Sequence, residues 1–263
     1  MMENDLLKIT LIQSDLAWED PSANRSQFDK LFSKMATEKT QTDLLILPEM
    51  FSTGFSMSSD VLAETMEGDT VNWMKAQASR LETTICGSLI IKENLQYFNR
   101  FIVTSPNGDL KHYHKKHLFR MSSENDAYSA GQSKLVFKLN GFRICPQICY
   151  DLRFPVWSRN TGDYDLLLYV ANWPEARRQH WINLLRARAI ENQSYVIGVN
   201  RVGMDGNGIS YSGDSQCYDF NGNCLKDAGI DAGMIHLTLK KSLQKTYRTD
   251  FPAWKDADRF SFS

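Results

Sequence analysis

Net charge is almost absent from this sequence. Its 30 lysines and arginines are balanced by 31 aspartates and glutamates, leaving −1 overall. No basic run concentrates charge either, since Lys115-Lys116 and Arg177-Arg178 are isolated pairs. Neither nucleic acid nor an acidic membrane surface is therefore expected as a partner. Long apolar runs are missing too, and no window approaches the roughly 20 residues of a membrane-spanning helix. The N-terminal Met1-Met2-Glu3-Asn4-Asp5 is acidic where a secretory signal is basic, and the apolar stretch behind it is short and broken by Lys8. Cysteines are few and odd in number, five at irregular spacing, which argues against a disulfide framework and fits reduced thiols in the cytoplasm. No C-x-x-C pair occurs, and His114 and His117 lack a second ligand pair at metal-site spacing. Neither a metal nor another cofactor is expected. Linkers, low-complexity tracts and repeats of fixed period are also lacking. Residues 1–263 are expected to form one domain, with 247–263 as a C-terminal tail.

What is present is ordinary globular usage, 42% hydrophobic and 23% charged, arranged in alternating elements. Strands are expected at Leu7–Ile12, Leu44–Leu47, Thr84–Ile91, Asp165–Val170 and Tyr195–Val199, with helices at Asn24–Met35, Val71–Leu81 and His180–Asn192. Turn residues mark two hairpins. Tyr97–Thr104 and Leu110–His114 flank Pro106-Asn107-Gly108-Asp109, and Leu135–Leu139 and Phe142–Ile148 flank Asn140-Gly141. Ser210–Tyr218 and Met234–Leu239 complete the strands. Strands joined both by helices and by hairpins imply mixed sheets. The expected fold is α/β, a four-layer α-β-β-α sandwich with helices outside two sheets.

Three of the apolar strands end in chemistry. Asp43–Pro48 runs into Glu49, Phe142–Ile148 into Cys149, and Leu166–Ala171 into Asn172-Trp173-Pro174-Glu175. Ligands of open α/β sheets bind outside the carboxyl ends of strands, so three such ends suggest one shared site. Cys149 lies between a strand end and Pro155, a residue suited to a first helical turn. Nearby helix N–H groups would favour thiolate, the nucleophilic form. A small packing cysteine fits the same segment equally well. An acid after a strand, as at Glu49, is also what a helix dipole alone would select. A fourth segment, Tyr113-His114-Lys115-Lys116-His117-Leu118-Phe119, sets a cationic pair among aromatic and apolar residues. A partly buried lysine needs a reason, because its desolvation is costly.

Together these four segments resemble the nitrilase superfamily, the carbon–nitrogen hydrolases, over essentially the whole chain. The resemblance implies that Glu49 is the catalytic glutamate, Lys115 rather than Lys116 the catalytic lysine, and Cys149 the nucleophile. Glu124, seven residues before Gly131, matches a second active-site glutamate of many members. The Cys149-Tyr150-Asp151-Leu152-Arg153-Phe154 form is similar to amidases, and Phe51–Met57, Ala171–Arg177, Arg188–Asn192 and Gly198–Gly203 resemble bacterial omega-amidases. The implied substrate is a small omega-amide, such as the terminal amide of alpha-ketoglutaramate, and the implied assembly is a homodimer or larger homo-oligomer.

The residue types suit that chemistry. Cys149 would attack the amide carbonyl and form a thioester, while Glu49 carries the proton and Lys115 faces the oxyanion. The backbone N–H of Tyr150 is a second oxyanion donor under this scheme. Glu49 and Glu124 would repel each other, raising one pKa, and the lysine would oppose that. Arg153, Arg177 or Arg178 could pair a substrate carboxylate. Arg153 serves equally as an ion-pair partner, and the other two as helix-surface residues. Trp173 either walls the pocket or packs beneath it, and Cys86, Cys145, Cys217 and Cys224 read as packing residues. Other functions stay open: N-carbamoyl amino-acid hydrolysis or another small aliphatic amidase activity of the same superfamily, a Cys–His hydrolase, and a non-catalytic small-molecule binder.

Overall fold

Apolar periodicity alone does not say which strands meet. A computed structural model, describing residues 5–258 and 260–261, resolves this into two six-stranded sheets. Residues 1–4, on which the expectation about a secretory signal partly rests, lie outside the described residues, as does Phe262 of the expected tail. In chain order the strands are β1 Leu6–Gln13, β2 Leu44–Ile46, β3 Thr84–Glu93, β4 Gln96–Thr104, β5 Leu110–His114, β6 Phe137–Leu139 and β7 Phe142–Ile148. They continue as β8 Leu166–Ala171, β9 Tyr195–Asn200, β10 Val202–Met204, β11 Ser210–Ser212, β12 Gln216–Tyr218, β13 Cys224–Asp227 and β14 Gly233–Lys240. The helices are α1 Pro21–Thr37, α2 Ser59–Leu62, α3 Asp69–Leu81, α4 Glu124–Ala127, α5 Pro155–Ser158, α6 Arg178–Asn192 and α7 Lys241–Asp250.

The first sheet has the order β14-β1-β2-β3-β4-β5 and the second β13-β12-β9-β8-β7-β6. Each has three parallel strands at its centre, β1-β2-β3 and β7-β8-β9, continued on both sides by antiparallel strands. The inner faces pack on each other through Ile9, Leu44, Ile46 and Phe101 against Ile144, Leu166, Val170 and Ile197. Helices α1 and α3 cover the outer face of the first sheet through Phe28, Phe32, Val71 and Met74. Helix α6 covers the second through Trp181, Leu185 and Ala189. This is the expected α-β-β-α sandwich. Its central strands are apolar on both faces because both faces are covered.

The parallel centres bring the carboxyl ends of β2, β7 and β8 to one rim. Asn140 and Gly141, with φ of 45° and 80°, make the tight turn joining β6 to β7.

Two local expectations need correction. Ser210–Tyr218 is not one strand. It breaks at Gly213 and Asp214, with φ of 72° and 54°, so β11 pairs with β10 in a separate hairpin while β12 joins the second sheet. A Cβ on Gly213 would lie 2.4 Å from the Gln13 side chain, so both the turn and the close approach require glycine there. Cys224 does not pack. It is exposed on β13, whereas Cys86, Cys145 and Cys217 are buried. In the tail Phe251 is 58% and Trp254 50% exposed, while Tyr247 of α7 packs on Phe220. Among the described residues no helix is long and apolar enough to cross a membrane.

Candidate active site

The site grows from strand exits. Beyond β2 the chain runs through Leu47 and Pro48 to Glu49, then turns through left-handed backbone at Met50 (φ 42°), whose N–H is held by Ser88 Oγ at 2.9 Å. Glu49 is fully buried, and both of its oxygens are occupied. Oε1 accepts from Asn99 Nδ2 at 2.8 Å and Lys115 Nζ at 2.9 Å, and Oε2 accepts from the Asn172 N–H at 2.7 Å. Lys115 follows β5, and its N–H continues the β4–β5 ladder to the Asn99 carbonyl at 3.0 Å. Its ammonium reaches Glu124 Oε1 at 2.9 Å and lies 5.0 Å from the centre of the Phe55 ring. Glu124 opens α4, and its Oε2 accepts the Phe119 N–H at 2.6 Å.

One buried cation thus sits between two buried carboxylates. Burial would depress the lysine pKa, but Glu124 and Glu49 outweigh it and the net shift is upward, so Lys115 stays charged. For Glu124, burial raises the pKa; Lys115 opposes this and Glu49 adds to it, and the result is again upward. The competition that composition could not resolve therefore goes, at Glu124, to desolvation and carboxylate repulsion.

Cys149 closes β7 and opens the 3-10 turn Cys149–Arg153 with φ of 43°, a left-handed conformation costly for a residue with a Cβ. Asp151 holds the turn. Its Oδ2 accepts from the Ile148 N–H at 3.0 Å and the Tyr113 hydroxyl at 2.7 Å, and its Oδ1 accepts from the His117 N–H at 2.9 Å. The Tyr113 oxygen in turn accepts from Trp157 Nε1 at 3.0 Å and the Lys116 N–H at 3.1 Å. One buried carboxylate therefore ties the cysteine turn to the loop carrying Lys115.

The expectation of a resting thiolate is overturned. Burial raises the Cys149 pKa well above the ordinary thiol value, Glu49 raises it further, and Lys115 only partly offsets them. The physical reason is local: the thiol is desolvated beside the Glu49 carboxyl group, and a short 3-10 turn follows it instead of a long helix. The thiol needs a base to become a nucleophile.

Above these groups lies a cavity of about 500 Å³. It is lined by Lys115, Cys149, Tyr150, Arg153, Trp173 and Arg177, among others, so all four residues expected to bind substrate face one space. Trp173 does both things sequence allowed, walling the cavity while packing on Trp181 at 5.5 Å between ring centres. The Arg153 guanidinium lies 4.8 Å over the Trp173 ring, with His180 Nδ1 at 3.0 Å, and that of Arg177 lies 5.3 Å over Phe119. Among the described residues neither pairs with a carboxylate. Burial lowers the Arg153 pKa, and the nearby Arg177 acts in the same direction. Arg178 is removed from consideration by its two bonds to Asp214, at 2.8 and 2.7 Å. Lys116 turns away to Gln132 and the Trp157 ring.

Sequence reasoning passed over Asn99, Asp151 and the side chain of Asn172. Asn99 did leave a signal, as a buried polar residue inside an apolar strand needs partners. Missing also was the β10–β11 hairpin, which brings Asp205 and Tyr211 to the cavity wall.

Comparison with known proteins extends the picture. The carbon–nitrogen hydrolase family model matches residues 8–248. A protein of Escherichia coli (strain K12) named omega-amidase YafV is 46% identical over 255 residues, covering 97% of this chain and 98% of that one. A 2-oxoglutaramate amidase of Bacillus subtilis (strain 168) is 31% identical over 253 residues, covering 94% and 96%. The crystal structure of a CN-hydrolase superfamily protein from Xanthomonas campestris, with an arsenic adduct in its active site, matches with a TM-score of 0.95 and 42% identity, covering 98% and 99%.

Proposed function

Because this chain belongs to the carbon–nitrogen hydrolase family, we propose that it is an omega-amidase, hydrolysing the terminal amide of a short dicarboxylic monoamide to the acid and ammonia through a Cys149 thioester. The observation that carries the reading is the Cys149 thiol placed beside the buried Glu49–Lys115–Glu124 cluster, in a cavity bearing two guanidinium groups that have no carboxylate partner among the described residues. Glu49 takes the thiol proton as Sγ bonds to the amide carbon. The carbonyl π pair moves to oxygen, where Lys115 Nζ and the Tyr150 N–H receive the charge. The C–N bond then breaks with its electron pair on nitrogen, Glu49 returns the proton, and ammonia leaves. Water attacks the thioester, giving its proton to Glu49. The C–S bond breaks and Cys149 recovers that proton. Glu124, with its pKa raised, shares the lysine and leaves Glu49 free to cycle.

At the other end of the substrate, Arg153 and Arg177 hold the free carboxylate. Succinamate or alpha-ketoglutaramate should therefore far outrun butyramide. Arg153→Ala or Arg177→Ala should narrow the gap by about 10–100-fold, as expected for losing a charge-assisted bond, while Arg178→Ala leaves it unchanged. An ammonia-release assay on this panel is the test. Equal wild-type rates on succinamate and butyramide would remove the carboxylate from the scheme. Faster turnover of a nitrile or an N-carbamoyl amino acid would move the enzyme to another branch of the family.

The exposed Phe251 and Trp254 support a homodimer or larger assembly in which a second copy covers them. Light scattering at micromolar protein should give at least twice the 30.2 kDa chain mass; a monomer would reject this assignment.

A further inference from the structure

The scheme above gives no part to the side chain of Asn172. This residue is the first beyond β8, it is buried, and it lines the cavity. Its Nδ2 donates to the Glu49 carbonyl at 2.6 Å. That contact fixes which way the amide is turned, since Oδ1 in the same place would face another oxygen. Its N–H holds Glu49 Oε2, and its own carbonyl lies 3.9 Å from Cys149 Sγ. The next residue is clamped as well: the Trp173 N–H and carbonyl bond to the Asn200 side chain at 2.7 and 3.1 Å. Asn172 Oδ1 is thus held in place, buried and without a hydrogen-bond partner among the described residues. A buried acceptor lacking a donor is costly, so its donor is to be sought in what enters the cavity.

The reaction supplies one. With Sγ on the carbonyl carbon and the oxygen directed to Lys115, the leaving nitrogen must face Glu49, the group that protonates it. Asn172 bonds that carboxylate through its backbone N–H, at Oε2, the oxygen that neither Asn99 nor Lys115 takes. We propose that Asn172 Oδ1 accepts a hydrogen bond from the leaving nitrogen of the amide, which aims the nitrogen lone pair at Glu49 and selects leaving groups that carry N–H. The assignment rests on the amidase reading and adds the group that recognises its leaving atom. As the C–N bond breaks and nitrogen takes the Glu49 proton, its N–H groups become stronger donors and the bond to Oδ1 tightens, which is differential stabilisation of the transition state.

The test compares succinamate with monomethyl succinate, whose leaving oxygen has no N–H. Asn172→Ala should lower kcat/KM on the amide about 10–100-fold more than on the ester, because only the amide loses a bond. Equal losses on both would mean that Asn172 acts only by holding Glu49, and the assignment falls. A second measurement does not depend on that variant folding. In crystals of Cys149→Ala soaked with succinamate, the amide nitrogen should lie within about 3.2 Å of Asn172 Oδ1. Nitrogen bound elsewhere overturns the proposal. Wild-type protein inactive on every omega-amide would instead sink the amidase reading, and the assignment with it.

Discussion

Cys149→Ala protein should fold normally and release no ammonia from succinamate, a loss on the order of 10⁵–10⁶-fold, as when a nucleophile working within a catalytic unit is removed. The substitution leaves the fold intact for a physical reason. The Cys149 turn is held by Asp151 through the Ile148 N–H and the Tyr113 hydroxyl, not by the thiol, which approaches the Asn172 carbonyl at a long 3.9 Å and interacts with Glu49. Alanine at φ 43° is no more strained than cysteine. Intact-mass analysis of wild type with a slow amide should show one acyl adduct, mapped to Cys149. An adduct on Cys224, the exposed thiol, or on any other cysteine would reject the assignment. Because burial and Glu49 hold the thiol protonated, Glu49→Gln should depress kcat almost as severely, with little change in substrate binding.

Lys115→Ala should damage activity and stability together, whereas Lys116→Ala keeps activity within a few-fold of wild type. Two losses combine at Lys115. Removing an oxyanion donor typically costs on the order of 10²–10³ in kcat. Removing the cation also leaves Glu49 and Glu124, both fully buried and each 2.9 Å from Nζ, without a counter-charge. Breaking a buried pair in this way destabilises by about 3–5 kcal/mol. Among the described residues the Lys116 ammonium meets Gln132 and the face of Trp157, so its removal touches neither term. The two effects separate by measurement: thermal unfolding reports the stranded carboxylates, and kcat at a temperature where the variant is folded reports the oxyanion. An active Lys115→Ala beside a dead Lys116→Ala would overturn the assignment of the lysine.

The two lysines also show where local pattern stops being informative. Lys115 and Lys116 are adjacent at the end of β5, where strand alternation no longer says which side chain turns inward; only the packing of β5 beside β4 sends one to Glu49 and the other to Trp157. The strand exits at Glu49 and Cys149 were legible because a strand covered on both faces must be apolar throughout, and a polar residue ends it visibly. The layered architecture was legible for the same reason, since periodicity states what each element buries. The break at Gly213-Asp214 was not, because it depends on the approach of Gln13 from a strand 200 residues away. Nor were the separation of Arg178 from Arg153 and Arg177, decided by Asp214, the role of Asp151 in tying two loops together, or the burial of Asn99 against Glu49. The protonation state of Cys149 was not legible either, because a strand followed by a proline-led turn suggests helix N–H groups, while the influences that oppose thiolate, burial first and then Glu49 from 100 residues earlier, arise only in the packed protein. By itself the sequence determined the elements, the faces they bury and the candidate residues at their ends, because these follow from local periodicity and turn chemistry. Which candidates touch, which are charged and which one is left with an unpaired oxygen was decided only by the tertiary structure, because desolvation and Coulomb interaction depend on distance through space and not along the chain.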